Sequence, residues 1–202
     1  MNPDLAEEIN YLSDLLAKSG FFSEDEILEI LEEQFIEENV DFSQFNVSLN
    51  NFDNINFNKL KNAFKNLALD KIIAIHNCGF DIAEGVSDAF ELYAHLLNNE
   101  YEVDGFCFYT FEDVEEAIFS EKLKITFGDF KNDETKALTI GKKVANVLSQ
   151  EGFNLNWNES INSQIEIYEF KWDKSFDRDV YEMEGAFKVF SEAFKWILNH
   201  LD

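Results

Sequence analysis

A chain with a formal net charge of −25 at pH 7 stays disordered unless it also carries enough apolar material for a core, because disorder needs low hydrophobicity as well as high charge. Here 41 Asp and Glu stand against 16 Lys and Arg, yet 46% of residues are apolar and 22 are Phe. The chain is therefore expected to fold. Its 202 residues suffice for one large domain, or one domain with a small appendage. The same charge excludes classes of function. Nucleic-acid binders neutralise phosphates with clustered Lys and Arg, and anionic membranes attract the same side chains. Neither a nucleic acid nor a membrane is expected as partner.

Pro3 is the single proline, so no Pro-rich linker exists. Cys78 and Cys107 are too few for the disulfide framework of a small secreted domain. The first residues, Met1 to Asp4, open no basic stretch followed by an apolar run, as a signal peptide would. No apolar stretch approaches the roughly 18–20 residues that cross a bilayer. These features place the expected location in a reducing cytoplasm.

The first third reads as helical. Leu5, Ile9, Leu12, Leu15 and Leu16 share one face of a helix over 4–18 that Gly20 ends. Ser23 with Glu26 forms the S-x-x-E capping box of a second helix. Its apolar face is Ile27, Ile30, Leu31 and Phe35, and its other face carries Glu24, Glu29, Glu32, Glu33, Glu37 and Glu38. Such a glutamate face is more often simply solvated than a docking surface for a basic partner. Residues 41–56 are polar and Asn-rich, anchored by Phe42, Phe45 and Phe52, and mark the expected subdomain boundary.

Beyond it, strand and helix alternate. A helix over 57–68 precedes a β-rich run at 71–76, followed by a helix over 83–98 and a strand at 106–109. Thr110 and Asp113 cap a short helix ending near Phe119. A strand at 122–127 ends at Gly128, and a helix over 134–150 carries an internal Gly141, which a close approach of helix to sheet would explain. Strands at 153–157 and 164–170 suggest an antiparallel hairpin at one edge, the second alternating Ile165 and Ile167 inward. The last helix, 179–201, lines up Phe187, Phe190, Phe194, Ile197 and Leu201. That stripe, with Trp172 and Trp196, reads as core; on a peripheral helix it would be an oligomer interface. The expected fold is α+β (mixed α/β): a mixed sheet of about five strands covered by helices at 57–202, with an N-terminal helical subdomain at 1–56.

Two stretches bear chemistry. His76, Asn77 and Cys78 precede Gly79, with Asp81 and Glu84 close behind, just past an expected central strand where open α/β sheets place ligand crevices. His supplies a base and Cys a nucleophile, provided they lie within hydrogen-bond reach. The simpler reading is a buried thiol beside a histidine satisfied by its surroundings. Tyr109, Asp113, Glu115 and Glu116 occupy the next strand-to-helix junction, where Asp113 most simply caps its helix. If the two strands are parallel neighbours, His76, Cys78, Tyr109 and Asp113 line one crevice, with Asn77, Asp81 and Glu84 as weaker ligand contacts. Paired C-x-x-C and the calcium-loop pattern are missing, so no metal is expected. No phosphate-binding glycine motif occurs either, and no cofactor is expected.

Several segments in order carry a resemblance. They are Lys59-Leu60 with Ala63-Phe64, Ile73 to Gly79, Gly105 to Thr110 with Asp113, Glu115 and Ala117, Leu123 to Gly128 with Ile125 and Phe127, Ile140 to Lys142 with Val144, and Gly152-Phe153 through Trp157 to Phe170 and Trp172. Residues 59–173 thereby resemble a family of bacterial proteins known only as a domain of unknown function. Some proteins similar to it carry several cysteines before the equivalent of Gly79 and a histidine after the strand tyrosine. Here a single Cys78 stands before Gly79, and Thr110 follows Tyr109. The resemblance implies no activity. Two functions stay open: a non-catalytic acidic module that binds a basic protein, in the manner of an immunity protein or antitoxin, and a small-molecule enzyme or ligand binder at the His76–Asp113 crevice. The missing catalytic set favours the first.

Overall fold

A computed structural model describes residues 3–42 and 45–200. Leu201 of the expected apolar stripe, Ser43 and Gln44 of the connector, and Met1 and Asn2 lie outside them. The chain divides into two compact units, residues 1–55 with 172–178, and residues 56–171 with 179–202. The stretch 172–178, part of the second domain on the sequence reading, belongs with the helical unit.

The first unit is built on α1 (Pro3–Ser19) and α2 (Glu24–Gln34), which pack together; Ile9, Leu15 and Leu16 of α1 and Ile27 and Leu31 of α2 are buried. Both halves of the capping box form: Ser23 Oγ accepts from the Glu26 amide, and the Ser23 amide donates to Glu26 Oε2 at 2.7 Å. A 3-10 turn, Ile36–Glu38, follows α2 and ends in left-handed Asn39. Residues 172–178 are fixed here by polar contacts. The Trp172 indole donates to Ser19 O at 3.1 Å, and Ser175 bonds the backbone of Phe52 and the side chain of Asn54.

The second unit is a five-stranded mixed sheet in the order β1-β2-β3-β5-β4. The strands are β1 (Ile72–Ile75), β2 (Gly105–Phe108), β3 (Lys122–Gly128), β4 (Asn154–Asn156) and β5 (Ile165–Tyr168). β1 and β2 are parallel, as a strand–helix–strand crossover through α4 (Ile82–Asn98) requires; the remaining pairs are antiparallel. The β4–β5 hairpin occupies one edge, as its short polar connector suggests. Ile165 and Ile167 of β5 point inward and Tyr168 is exposed. The other helices are α3 (Ile55–Leu69), α5 (Phe111–Ser120), α6 (Glu134–Gln150) and α7 (Glu182–Asn199).

One cluster of the core joins Ile73 and Ile75 of β1, Phe106 and Phe108 of β2, Leu92 and Leu96 of α4, and Phe190 of α7. Phe187 packs at its margin, while Phe194 and Ile197 are half-buried outside it, so of the described stripe on α7 only Phe190 is fully core. The expectation fails at two points. α7 begins at Glu182 rather than near 179, and Trp196 is 54% exposed, stacked on His200 instead of joining the core. Trp172 is buried, but in the helical unit. Gly141 has the explanation its position demanded: a Cβ there would sit 2.5 Å from the Phe127 ring and 2.9 Å from the Trp157 ring. Among the described residues no helix is long and apolar enough to cross a membrane.

Candidate functional site

Because β1 and β2 are parallel neighbours, the residues just past their C-terminal ends meet. Ile75 registers with Phe108, and the next residues, His76 and Tyr109, share a hydrogen bond of 2.9 Å between Nδ1 and the phenol oxygen. Tyr109 is fully buried, and that burial, with Tyr181 nearby, pushes its ionisation well above the ordinary phenol range. The phenol stays protonated, and the His76 tautomer sets which of the two groups donates in that hydrogen bond. Aromatic rings surround His76: Phe64 stacks on it at 4.4 Å, Phe57 lies at 5.4 Å, and Tyr181 meets it edge-on at 5.7 Å. Phe57, Phe64 and Tyr181 come from α3 and from the approach to α7. No local pattern announces them, since only the fold brings these segments to β1.

Asn77 takes the left-handed conformation, φ 51°, and turns the chain out of β1. Its amide nitrogen donates to Glu182 Oε1 at 3.1 Å, whereas its buried Oδ1 has no partner among the described residues. The Glu182 amide in turn donates to His76 O, which ties the start of α7 to the end of β1.

Cys78 does not join His76. It is completely buried, with Sγ 3.4 Å from Gly85 O and its amide bonded to Tyr109 O. Burial above all, then the Asp88 and Glu182 charges and the second thiol, pushes its ionisation far above the ordinary range. A thiol held protonated away from solvent is no nucleophile. Asp81 is the N-cap of α4, accepting from the Ala83 and Glu84 amides, and Glu84 accepts from the Phe80 amide, so both carboxylates order the turn at Gly79.

Asp113 is likewise a cap. Its Oδ2 accepts from the Thr110 amide and hydroxyl at 2.9 and 3.0 Å, and its Oδ1 from Gln164 Nε2 at 3.4 Å. Desolvation outweighs these bonds and nearby Lys124, so its pKa lies above the ordinary carboxylate value. A raised folded-state pKa means the native protein binds the proton more readily than the unfolded chain. That contribution is complete below the unfolded value and is lost as pH rises through the folded one. Asp113→Asn keeps the cap acceptor without the charge. The variant is expected to gain stability relative to wild type as pH rises from about 3 to 6, measured by urea denaturation at several pH values; a constant difference would refute it.

Glu116 pairs with Lys124 at 2.5 Å. Among the described residues no group of three or more His, Cys, Asp or Glu is placed to hold a metal.

The helical unit holds a separate concavity of about 570 Å³ between the end of α2 and the chain that follows it. Its rim carries Glu29, Glu32, Glu33 and Asp41, its floor contains Phe35 and Phe42, and Ile36 stands 73% exposed among them.

A family model described as a domain of unknown function (DUF6891) matches residues 50–176. The chain belongs to that family. The DUF6891 match encloses the whole sheet with His76, Asn77, Tyr109 and Asp113, and the stretch 59–173 that carries the resemblance; α1, α2 and α7 fall outside it. No curated protein and no solved structure matches the chain.

Proposed function

We propose that the protein is a non-catalytic binding module whose acidic helical unit engages a basic protein, acting as a neutraliser in the manner of an immunity protein or antitoxin. The observation that carries this reading is the concavity beyond α2: a rim of Glu29, Glu32, Glu33 and Asp41 around a large exposed aliphatic side chain, Ile36. Carboxylates at a rim speed the encounter with a cationic partner, while an apolar centre that becomes desolvated holds the complex. A partner that covers Ile36 would remove its apolar surface from water while the surrounding carboxylates stay at the rim. The net charge of −25 adds long-range steering of the same sign.

The test is co-purification of the tagged chain from its native host at low and high salt, with wild type beside two variants. A basic partner should come down with wild type at low salt and be released at high salt. Glu32→Lys combined with Glu33→Lys should weaken it about tenfold or more, mainly through the association rate. Ile36→Ala should act mainly on dissociation. A partner indifferent to both variants, or none at all, would count against the module.

One feature favours a second reading. The His76–Tyr109 hydrogen bond next to the unpartnered Asn77 Oδ1 suits a small-molecule site at the head of β1 and β2 that lacks both Cys78 and Asp113. A metabolite screen by thermal shift, with His76→Gln as control, separates it from the first: a stabilising ligand lost in that variant would favour the second.

A further inference from the structure

A second concavity lies in the sheet unit, on the hairpin edge. Strand register places Lys124 of β3 opposite Glu166 of β5, and Glu166 opposite Asn156 of β4, so three polar side chains cross three strands in one row. With Trp157, Asn158, Ser163 and Gln164 they line a groove of about 290 Å³.

The groove wall is prefolded. The Trp157 indole donates to Ser160 O and Ser163 O at 3.1 and 3.3 Å, while Asn158 Oδ1 accepts from the Ser160 amide and the Ser163 hydroxyl. The connector between β4 and β5 is thereby bonded to itself, and Trp157 is held against Phe127, ring centroids 5.3 Å apart, in the space Gly141 leaves open. Gln164 is fixed from behind, its amide nitrogen donating to Thr126 Oγ1 at 3.0 Å and to Asp113 Oδ1. Its Oε1 is the group it still offers. Asn158 Nδ2 has no partner among the described residues, and the Lys124 ammonium spends one proton on Glu116.

The groove therefore presents donors and acceptors together, and its charges are already paired, Lys124 with Glu116 beside it and Glu166 with Lys122 at 3.6 Å. An anion finds no surplus positive charge. A neutral molecule with many hydroxyls, each both donor and acceptor, finds partners for both roles and an indole to cover its C–H face. A wall ordered in advance spares such a weak binder the cost of arranging it. We propose that this groove binds a neutral sugar, with Trp157 as platform and Gln164, Asn158, Lys124 and Glu166 as hydrogen-bonding groups. The size suits a small ligand, at the lower end of ordinary binding pockets.

The test is NMR titration of the full, ¹⁵N-labelled chain with glucose, galactose, mannose, N-acetylglucosamine, maltose and cellobiose, and with glucose 6-phosphate as the anionic counterpart. At least one neutral sugar is expected to cause saturable shifts at the Trp157 indole N–H and the Asn158 and Gln164 side-chain amides. Trp157→Ala should weaken that binding tenfold or more. Should that variant fail to fold, Glu166→Ala, on the open face of β5, is expected to lose at least threefold. The proposal is overturned if no neutral sugar gives saturable shifts there, if only glucose 6-phosphate does, or if binding survives in the folded variants.

Discussion

Replacing Lys174 by alanine is expected to cost the helical unit about 3–5 kcal/mol, the range for removing one partner of a buried charged network. Its side chain has no exposed surface, and its ammonium donates to Gly20 O at 2.8 Å, Ser175 O at 3.1 Å and Asp177 Oδ1 at 3.4 Å, matching three protons with three acceptors. The Phe21 ring lies 4.9 Å beneath it. Deletion orphans two carbonyls, each costing about 1–3 kcal/mol when buried without a donor, and empties the channel that the aliphatic stem fills. Lys174→Met separates these causes, because it keeps most of the volume and should recover the cavity part alone. Gly20→Ala approaches the same contact from the other side: a Cβ there would lie 2.4 Å from Lys174 O, at a φ of 72° that side chains rarely adopt. Because both changes disturb one junction, their combined cost should fall short of the sum. Urea denaturation, with hydrogen exchange at the α1 and α2 amides, reads the effect. A loss under 1 kcal/mol for Lys174→Ala would mean the ammonium is hydrated rather than buried.

Lys174 also marks where sequence reasoning stops. A lysine between Asp173 and Ser175 reads as surface, and only the pairing of 172–178 with α1 and residues 52–54 makes burial affordable. α7 starts only at Glu182, after Arg178 in the left-handed conformation and with extended Tyr181 as its N-cap. Where signals were local, they were legible. Ser23 with Glu26 and Thr110 with Asp113 form complete capping boxes, and α6 begins and ends at residues 134 and 150. A cap depends on three or four consecutive residues, which the chain carries with it. The site was legible only in part. Parallel pairing of β1 with β2 was enough to join His76 to Tyr109, but the alternation that would set Cys78 beside His76 fails because left-handed Asn77 breaks the strand between them. The rings of Phe57, Phe64 and Tyr181 around His76 depend on tertiary packing that no spacing encodes. The groove around Ile36 arises in a 3-10 turn, an element too short for periodicity to reveal.

The second large effect concerns the thiols. Cys78 and Cys107 have no exposed surface, and burial raises the ionisation of both far beyond the ordinary range; for Cys107 burial is the whole cause. A disulfide reagent attacks only the exposed thiolate. In the native protein it must wait for an opening reaction, so labelling should run slower than in urea-unfolded chain by the opening equilibrium. With a stability of about 5 kcal/mol or more, that factor is roughly a thousandfold or greater. The Cys107→Ala variant reports on Cys78 alone, and this decides what the head of β1 can do. If Cys78 reacts only as fast as the protein opens, with a rate that follows urea concentration, the chemistry there is confined to His76, Tyr109 and Asn77 and includes no covalent step on sulfur. If it reacts at a rate independent of urea and faster near neutral pH than an ordinary thiol, the turn at Gly79 opens in the native state, and a Cys78–His76 nucleophile returns as a candidate. The Sγ contact with Gly85 O and the tight packing of Gly85 against Phe108, where a Cβ would lie 2.5 Å from the ring, leave little freedom for such an opening, so the slow, urea-dependent rate is the expected result.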